Sequence, residues 1–121
     1  MPEPKTYTGG CHCGAIKYRV SLDLQGAVSC NCSICQKTGS LLAFAPASQF
    51  ELLSHEGLSD YQFGKKRVHH HFCSRCGIRS FARGKMPDGT DTVAVNVRCL
   101  DGVDLEAIPL RKFDGRSLPM E

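Results

Sequence analysis

The chain has 121 residues, 41% of them hydrophobic and 22% charged, which argues for one domain over residues 1–121 with material for a compact core. The formal net charge of +3 counts every thiol as neutral and is too small to argue for a nucleic-acid partner. No apolar run approaches the ~20 residues of a membrane span, so no membrane segment is expected.

Taken in chain order, Met1-Pro2-Glu3-Pro4-Lys5-Thr6 has neither an apolar core nor a small-residue cleavage site. It reads as a loose tail rather than a signal peptide, and the expected location is cytoplasmic. In that reducing compartment clustered cysteines are metal ligands before they are disulfides. Short β-like segments then alternate with breaks at Gly, Pro and Asp, predicting strands over 15–20, 27–32, 41–47, 50–54, 60–63, 68–72, 78–83 and 92–97. The clearest is the last, where Val93, Val95 and Val97 share one face and belong to the core. A single helical turn is predicted over 33–38, ending near Gly39. Met86-Pro87-Asp88-Gly89-Thr90 is a turn, and 101–121, with Pro109 and Pro119, reads as short strands and loops against the surface. No repeat, linker or low-complexity tract interrupts the chain, and the class is mostly β.

The chemistry lies in the cysteines. They form three clusters: Cys11-His12-Cys13, Cys30-Asn31-Cys32-Ser33-Ile34-Cys35 and Cys73-Ser74-Arg75-Cys76-Gly77. Zinc binds thiolate sulfur at ~2.3 Å in a tetrahedron, which sets two sulfurs on one ion a little under ~4 Å apart. A Cys-x-x-Cys turn aims both sulfurs at one point, with Gly77 free to take positive φ. In an extended chain Cys11 and Cys13 point to one face, because side chains alternate with period two. Each pair is a clamp, and two clamps make a closed four-thiolate site. The central cluster offers three thiolates from one segment and leaves a fourth position, the form of a catalytic zinc. Seven thiolates on two divalent ions lower the net charge by three, to about zero. The spacing leaves alternatives open: Cys99 as a fourth ligand to the central site, a disulfide framework, or iron–sulfur clusters.

These motifs resemble a known family. Gly9-Gly10-Cys11-His12-Cys13-Gly14-Ala15-Ile16-Lys17-Tyr18 is similar to the opening of the glutathione-dependent formaldehyde-activating enzyme family, which also contains centromere protein V. Cys30-Asn31-Cys32-Ser33-Ile34-Cys35-Gln36-Lys37-Thr38-Gly39-Ser40 resembles its second motif, with Asn31 where the family more often has His. Phe72-Cys73-Ser74-Arg75-Cys76-Gly77 resembles its third, and Asn96-Val97-Arg98-Cys99-Leu100-Asp101 a less specific strand near its end. The resemblance implies a small β-tent (Mss4-like) zinc domain with two zinc ions. Structural zinc would sit on Cys11, Cys13, Cys73 and Cys76, and catalytic zinc on Cys30, Cys32 and Cys35. It further implies a carbon–sulfur lyase forming or cleaving S-hydroxymethylglutathione, with a small-molecule thiol such as glutathione as partner. The alternative is a non-catalytic, zinc-stabilised binding module for protein or nucleic acid.

Other residues carry weaker expectations. Gln36, Lys37, Thr38 and Ser40 are placed to meet substrate carboxylates or amides, or to form a solvated turn. In a strand over 68–72, His69 and His71 share a face with Cys73 while His70 points away. One of the three is a candidate support for a ligand or proton carrier, against the plain reading of a solvent-facing row. Lys65, Lys66 and Arg67 read as a charged hairpin turn rather than a nucleic-acid patch. Gly9-Gly10 reads as backbone accommodation beside a clamp, not a phosphate loop.

Overall fold

Alternating apolar and polar residues along Ile16–Leu22 decide the first layer. Ile16, Tyr18, Val20 and Leu22 are buried, while Lys17 and Arg19 between them are exposed. The computed structural model describes residues 5–63, 66–86 and 88–117. In chain order the elements are β1 (Lys5–Gly10), β2 (Ile16–Leu22), β3 (Ala27–Cys30), α1 (Ser33–Thr38), β4 (Leu41–Pro46), β5 (Phe50–His55), β6 (Leu58–Tyr61), β7 (Val68–Cys73), β8 (Phe81–Lys85), β9 (Asp91–Asn96) and β10 (Leu110–Phe113). The fold is mostly β, in two sheets: β1-β2-β5, and a larger one ordered β10-β3-β4-β9-β8-β7-β6. Neighbours are antiparallel except β10 and β3, which run parallel with Phe113 opposite Cys30.

The core fills the space between the sheets. Val93 and Val95 of β9, Phe81 of β8 and Ala43 and Ala45 of β4 meet the inward face of β2. Each fully buried Val, Ile or Phe contributes roughly 1.5–3 kcal/mol. Tyr18, Phe50 and Phe81 form an aromatic cluster with centroid separations of 5.1, 5.7 and 4.8 Å. The Tyr18 hydroxyl donates to the Ser80 carbonyl at 3.2 Å, satisfying the polar end of a buried ring.

Several sequence expectations are met, and others are corrected. The helical turn 33–38 is α1, closed by Gly39 in the left-handed region at φ 70°. The valine strand is β9, although its third member, Val97, sits in the following 3-10 turn while remaining buried. Lys66 and Arg67 link the antiparallel pair β6–β7, as a charged hairpin turn should; Lys65 lies outside the described residues. The turn before β9 is closed by Gly89 N–H donating to the Met86 carbonyl at 2.8 Å. Pro87 and Pro119 lie outside the described residues.

Lys5 and Thr6, expected in a loose tail, instead open strand β1, paired with β2 from Lys5 opposite Leu22 to Gly10 opposite Lys17; Met1–Pro4 lie outside the described residues. Glycine permits that pairing, since a Cβ on Gly10 would stand 2.0 Å from the Ile16 carbonyl oxygen. The strand expected over 78–83 starts only at Phe81. The backbone before it is engaged elsewhere: Ile78 accepts from Cys73 N–H at 3.0 Å, and Arg79 accepts from the Asn96 side chain at 3.0 Å.

Candidate metal centres and the cavity between them

The first cysteine cluster is built by two loops of the same design. After β1, Cys11 N–H donates to the Ile16 carbonyl at 3.1 Å; after β7, Cys73 N–H donates to the Ile78 carbonyl at 3.0 Å. Each loop turns its cysteines inward. The sulfurs of Cys11, Cys13, Cys73 and Cys76 all lie within 4.8 Å of one another, with Cys13 at 3.6 Å from both Cys11 and Cys73. Cys11 and Cys13 therefore converge through a turn, not through the strand alternation expected of an extended Cys-x-Cys, because β1 ends at Gly10. Backbone N–H groups face the sulfurs: Ile16 donates to Cys11 and Arg75 to Cys73, both at 3.3 Å.

The second cluster spans a strand end and a helix start. Cys30 closes β3, Cys32 is the N-cap of α1, and Cys35 is buried within that helix. The expected strand 27–32 stops at Cys30, so this pair also meets through a turn, with Cys32 N–H donating to the Cys30 sulfur at 3.4 Å. The three sulfurs lie within 4.8 Å of one another, and among the described residues no fourth Cys, His, Asp or Glu joins them. Cys99 is not a member. Its thiol lies 3.9 Å from the Arg79 carbonyl, and burial, with Cys11 and Cys76 nearby, pushes it up to about 11.

The chain's end closes over this cluster. Asn31 N–H donates to the Phe113 carbonyl at 3.2 Å, and the Asn31 amide donates to Asp114 at 3.0 Å. A Cβ on Gly115 would stand 2.5 Å from the Cys30 sulfur, so only glycine lets the backbone lie there. Nothing in the sequence marked Asp114 or Gly115, since their pairing with β3 is a contact between distant segments.

Crowded sulfurs cannot all ionise without a cation among them. In the first cluster Cys76 falls to about 6, through backbone N–H groups of Cys13 and Ile78. Cys13 rises to about 11: the Ala15 N–H favours its thiolate, but Cys73, burial, Cys11 and Cys76 together outweigh it. In the second, burial and the neighbouring Cys32 push Cys35 up to about 12, against the pull of Arg79. A divalent ion removes that conflict by taking the place of the shared protons. Separations of 3.6 Å agree with thiolates on one tetrahedral ion. Both clusters can hold metal ions.

Between the clusters lies a cavity of about 470 Å³. His12 and Gly77 reach it from the first cluster's loops, Thr38 and Ser40 from the end of α1, and Arg79, Asn96, Arg98 and Cys99 complete its wall. Of the four polar residues expected near substrate, Thr38 and Ser40 face this space, whereas Gln36 and Lys37 are exposed elsewhere. The histidine row alternates as a strand should. His69 is exposed and pairs with Asp60 at 2.8 Å, and His71 stacks on Phe81 at 4.9 Å. It is His70, pointing the other way, that connects to the cavity, accepting at Nδ1 from Arg79 at 2.9 Å. Burial, with Arg79 beside it, lowers its pKa to about 4. Arg79 belongs to no motif; its only signal is a lone cation between Ile78 and Ser80-Phe81.

Two sheets carrying two groups of converging cysteines that could hold metal ions define a β-rich, cysteine-clustered fold. The chain belongs to the glutathione-dependent formaldehyde-activating enzyme family, whose model matches residues 6–112. It is also similar to the crystal structure of a Rhodobacter sphaeroides protein, with 33% identity and a TM-score of 0.74 over 86% of this chain and 99% of that one. No helix among the described residues is long and apolar enough to cross a membrane.

Proposed function

We propose that this chain is a zinc-dependent carbon–sulfur lyase that forms or cleaves the adduct of a thiol and an aldehyde, with glutathione and formaldehyde as the pair. Residues 1–121 act as one cytoplasmic zinc domain. Cys11, Cys13, Cys73 and Cys76 hold a structural ion; Cys30, Cys32 and Cys35 hold the one at which chemistry occurs. The observation carrying this reading is the second cluster: three converging sulfurs, no fourth side-chain ligand among the described residues, and a cavity beside the helix that bears Cys35. The family match over residues 6–112 supports the choice of thiol and aldehyde.

A free thiol of pKa ~8.5 is only a few per cent thiolate at neutral pH. Cys30, Cys32 and Cys35 would hold the zinc, and it would supply a position that favours the deprotonated form of a substrate thiol. The protein's own groups do the rest. Three cysteine thiolates outweigh the charge of a divalent ion, so the centre favours a nucleophilic sulfur over polarising a carbonyl. Arg79 sets a positive charge near Cys35, favouring negative charge there. Thr38 and Ser40 hydroxyls line the space a substrate enters.

The test is metal analysis with anomalous scattering, followed by adduct formation from glutathione and formaldehyde above the uncatalysed background. Two zincs, and turnover abolished by Cys35→Ser, support the reading. Turnover no faster than background in fully loaded protein rejects it in favour of the non-catalytic module.

A further inference from the structure

Among the described residues no carboxylate pairs with Arg79. Its Nη1 donates to Ser40 Oγ at 3.1 Å and Thr38 Oγ1 at 3.5 Å, and its Nη2 to His70 Nδ1 at 2.9 Å. Every one of those acceptors is neutral. Its Nε is buried and has no partner among the described residues. No carboxylate among those residues lies within 4.0 Å of it, whereas Arg19, Arg75 and Lys85 each pair with an acid on the surface. Arg79 is half-buried, and an arginine held in place by neutral groups presents its charge to whatever enters beside it.

Arg98 lies on the same wall. It is exposed, donates through Nε to the Gly39 carbonyl at 3.3 Å, and also lacks a carboxylate partner among the described residues. Two unpaired guanidiniums thus line one concave space, with the Ser40 hydroxyl beside them. Its volume of about 470 Å³ suits a small organic molecule. A polymer's phosphates would need a basic stripe across the surface, not two cations in a hollow.

We propose that Arg79 and Arg98 form a carboxylate seat that selects the substrate of the three-cysteine centre: a thiol carrying free carboxylates, rather than any small thiol. The inference rests on the thiol chemistry proposed above. A carboxylate entering the cavity meets the Arg79 charge, and the end of the Arg98 guanidinium, engaged only through its Nε, can bind it through two parallel hydrogen bonds. The seat thereby holds the ligand near α1, whose Thr38 already accepts from Arg79 at 3.5 Å.

The test is calorimetric binding of S-methylglutathione and its diester to the metal-loaded protein. The S-methyl group removes the thiol, so the measurement reads the seat alone. Arg98→Gln, at an exposed position, and Arg79→Gln, checked for folding by its melting curve, should each weaken binding of the diacid roughly 10–100-fold, the loss of a hydrogen bond to a charged group. The diester should bind the wild type weakly and be indifferent to both substitutions. Equal binding of diacid and diester, unchanged binding by the Arg98→Gln protein, or no binding by the wild type overturns the seat. Adduct formation from glutathione and formaldehyde, measured in parallel, separates the two ideas. Arginine-dependent binding without turnover leaves the seat standing and rejects the lyase; turnover with arginine-independent binding does the reverse.

Discussion

Arg79 donates through Nη2 to Nδ1 of His70 at 2.9 Å. That bond assigns the imidazole proton to Nε2, because a nitrogen that accepts cannot carry one. It also joins β7 to the segment behind the first cysteine loop, and so ties a histidine with no metal to hold to the wall of the cavity.

The pairing predicts a pH dependence. His70 faces Arg79, with Asp60, His69 and His71 the other charged or titratable groups around it, and burial leads in lowering its pKa to about 4 from 6.5. The unfolded chain then binds a proton below pH 6.5 that the folded chain refuses until about pH 4. Stability attributable to His70 is therefore intact above pH 6.5 and is lost as pH falls through that window, by up to about 1.4 kcal/mol per pH unit. His70→Asn keeps an acceptor for Arg79 and removes the titration. Denaturant unfolding of the two proteins at stepped pH should show the wild type losing ground to the variant between pH 6.5 and 4; a constant difference contradicts the assignment.

The two metal clusters should differ in what they hold together. Cys11 and Cys13 lie about sixty residues from Cys73 and Cys76, and an ion held by the four would bridge the loop after β1 to the end of β7. Cys73→Ser should lose that ion and melt at least ~10 °C lower, as expected when several kcal/mol of metal-coupled folding energy disappears. Cys35→Ser should lose only the second ion and keep most of its melting temperature. Metal content and thermal melting of both variants decide the matter, and equal loss of fold in both contradicts separate roles.

Gly115→Ala should disturb the second cluster selectively. The added Cβ falls 2.5 Å from Cys30 Sγ and 3.2 Å from Cys32 Cβ, so either the chain end or the cysteines must shift. The cost is about 1–3 kcal/mol, typical of overpacking. Metal titration should show one ion weakened and the other unchanged; unaltered affinity at both sites would mean the chain end does not press on the cluster.

Cys99→Ala should leave metal stoichiometry at two. The Cys99 thiol lies against the Arg79 carbonyl and belongs to neither group of converging sulfurs. Loss of an ion in this variant, measured by mass spectrometry under native conditions, would make Cys99 a ligand after all.

The cysteine groups were legible in the sequence because chelation is local. Two ligands two or three residues apart must be brought together by a turn, and spacing reveals that turn whatever surrounds it. The way they converge was not: Cys11/Cys13 and Cys30/Cys32 meet in turns because β1 ends at Gly10 and β3 at Cys30, so neither strand carries both cysteines of its pair. The histidine row was legible as an alternation, but not which face mattered, since His70 gains its role from an arginine nine residues away.

By itself the sequence determined the mostly β class, the family, and the sulfurs that gather at each centre, all properties carried by short-range pattern. Tertiary structure decided that Lys5–Gly10 is a strand, that Phe113–Gly115 covers Cys30, and that Arg79 and Arg98 share a cavity between the centres. Those outcomes depend on pairing between segments far apart in the chain, and on a cation's lack of any acid nearby. Neither leaves a trace in spacing, because each is a relation among residues that meet only after folding.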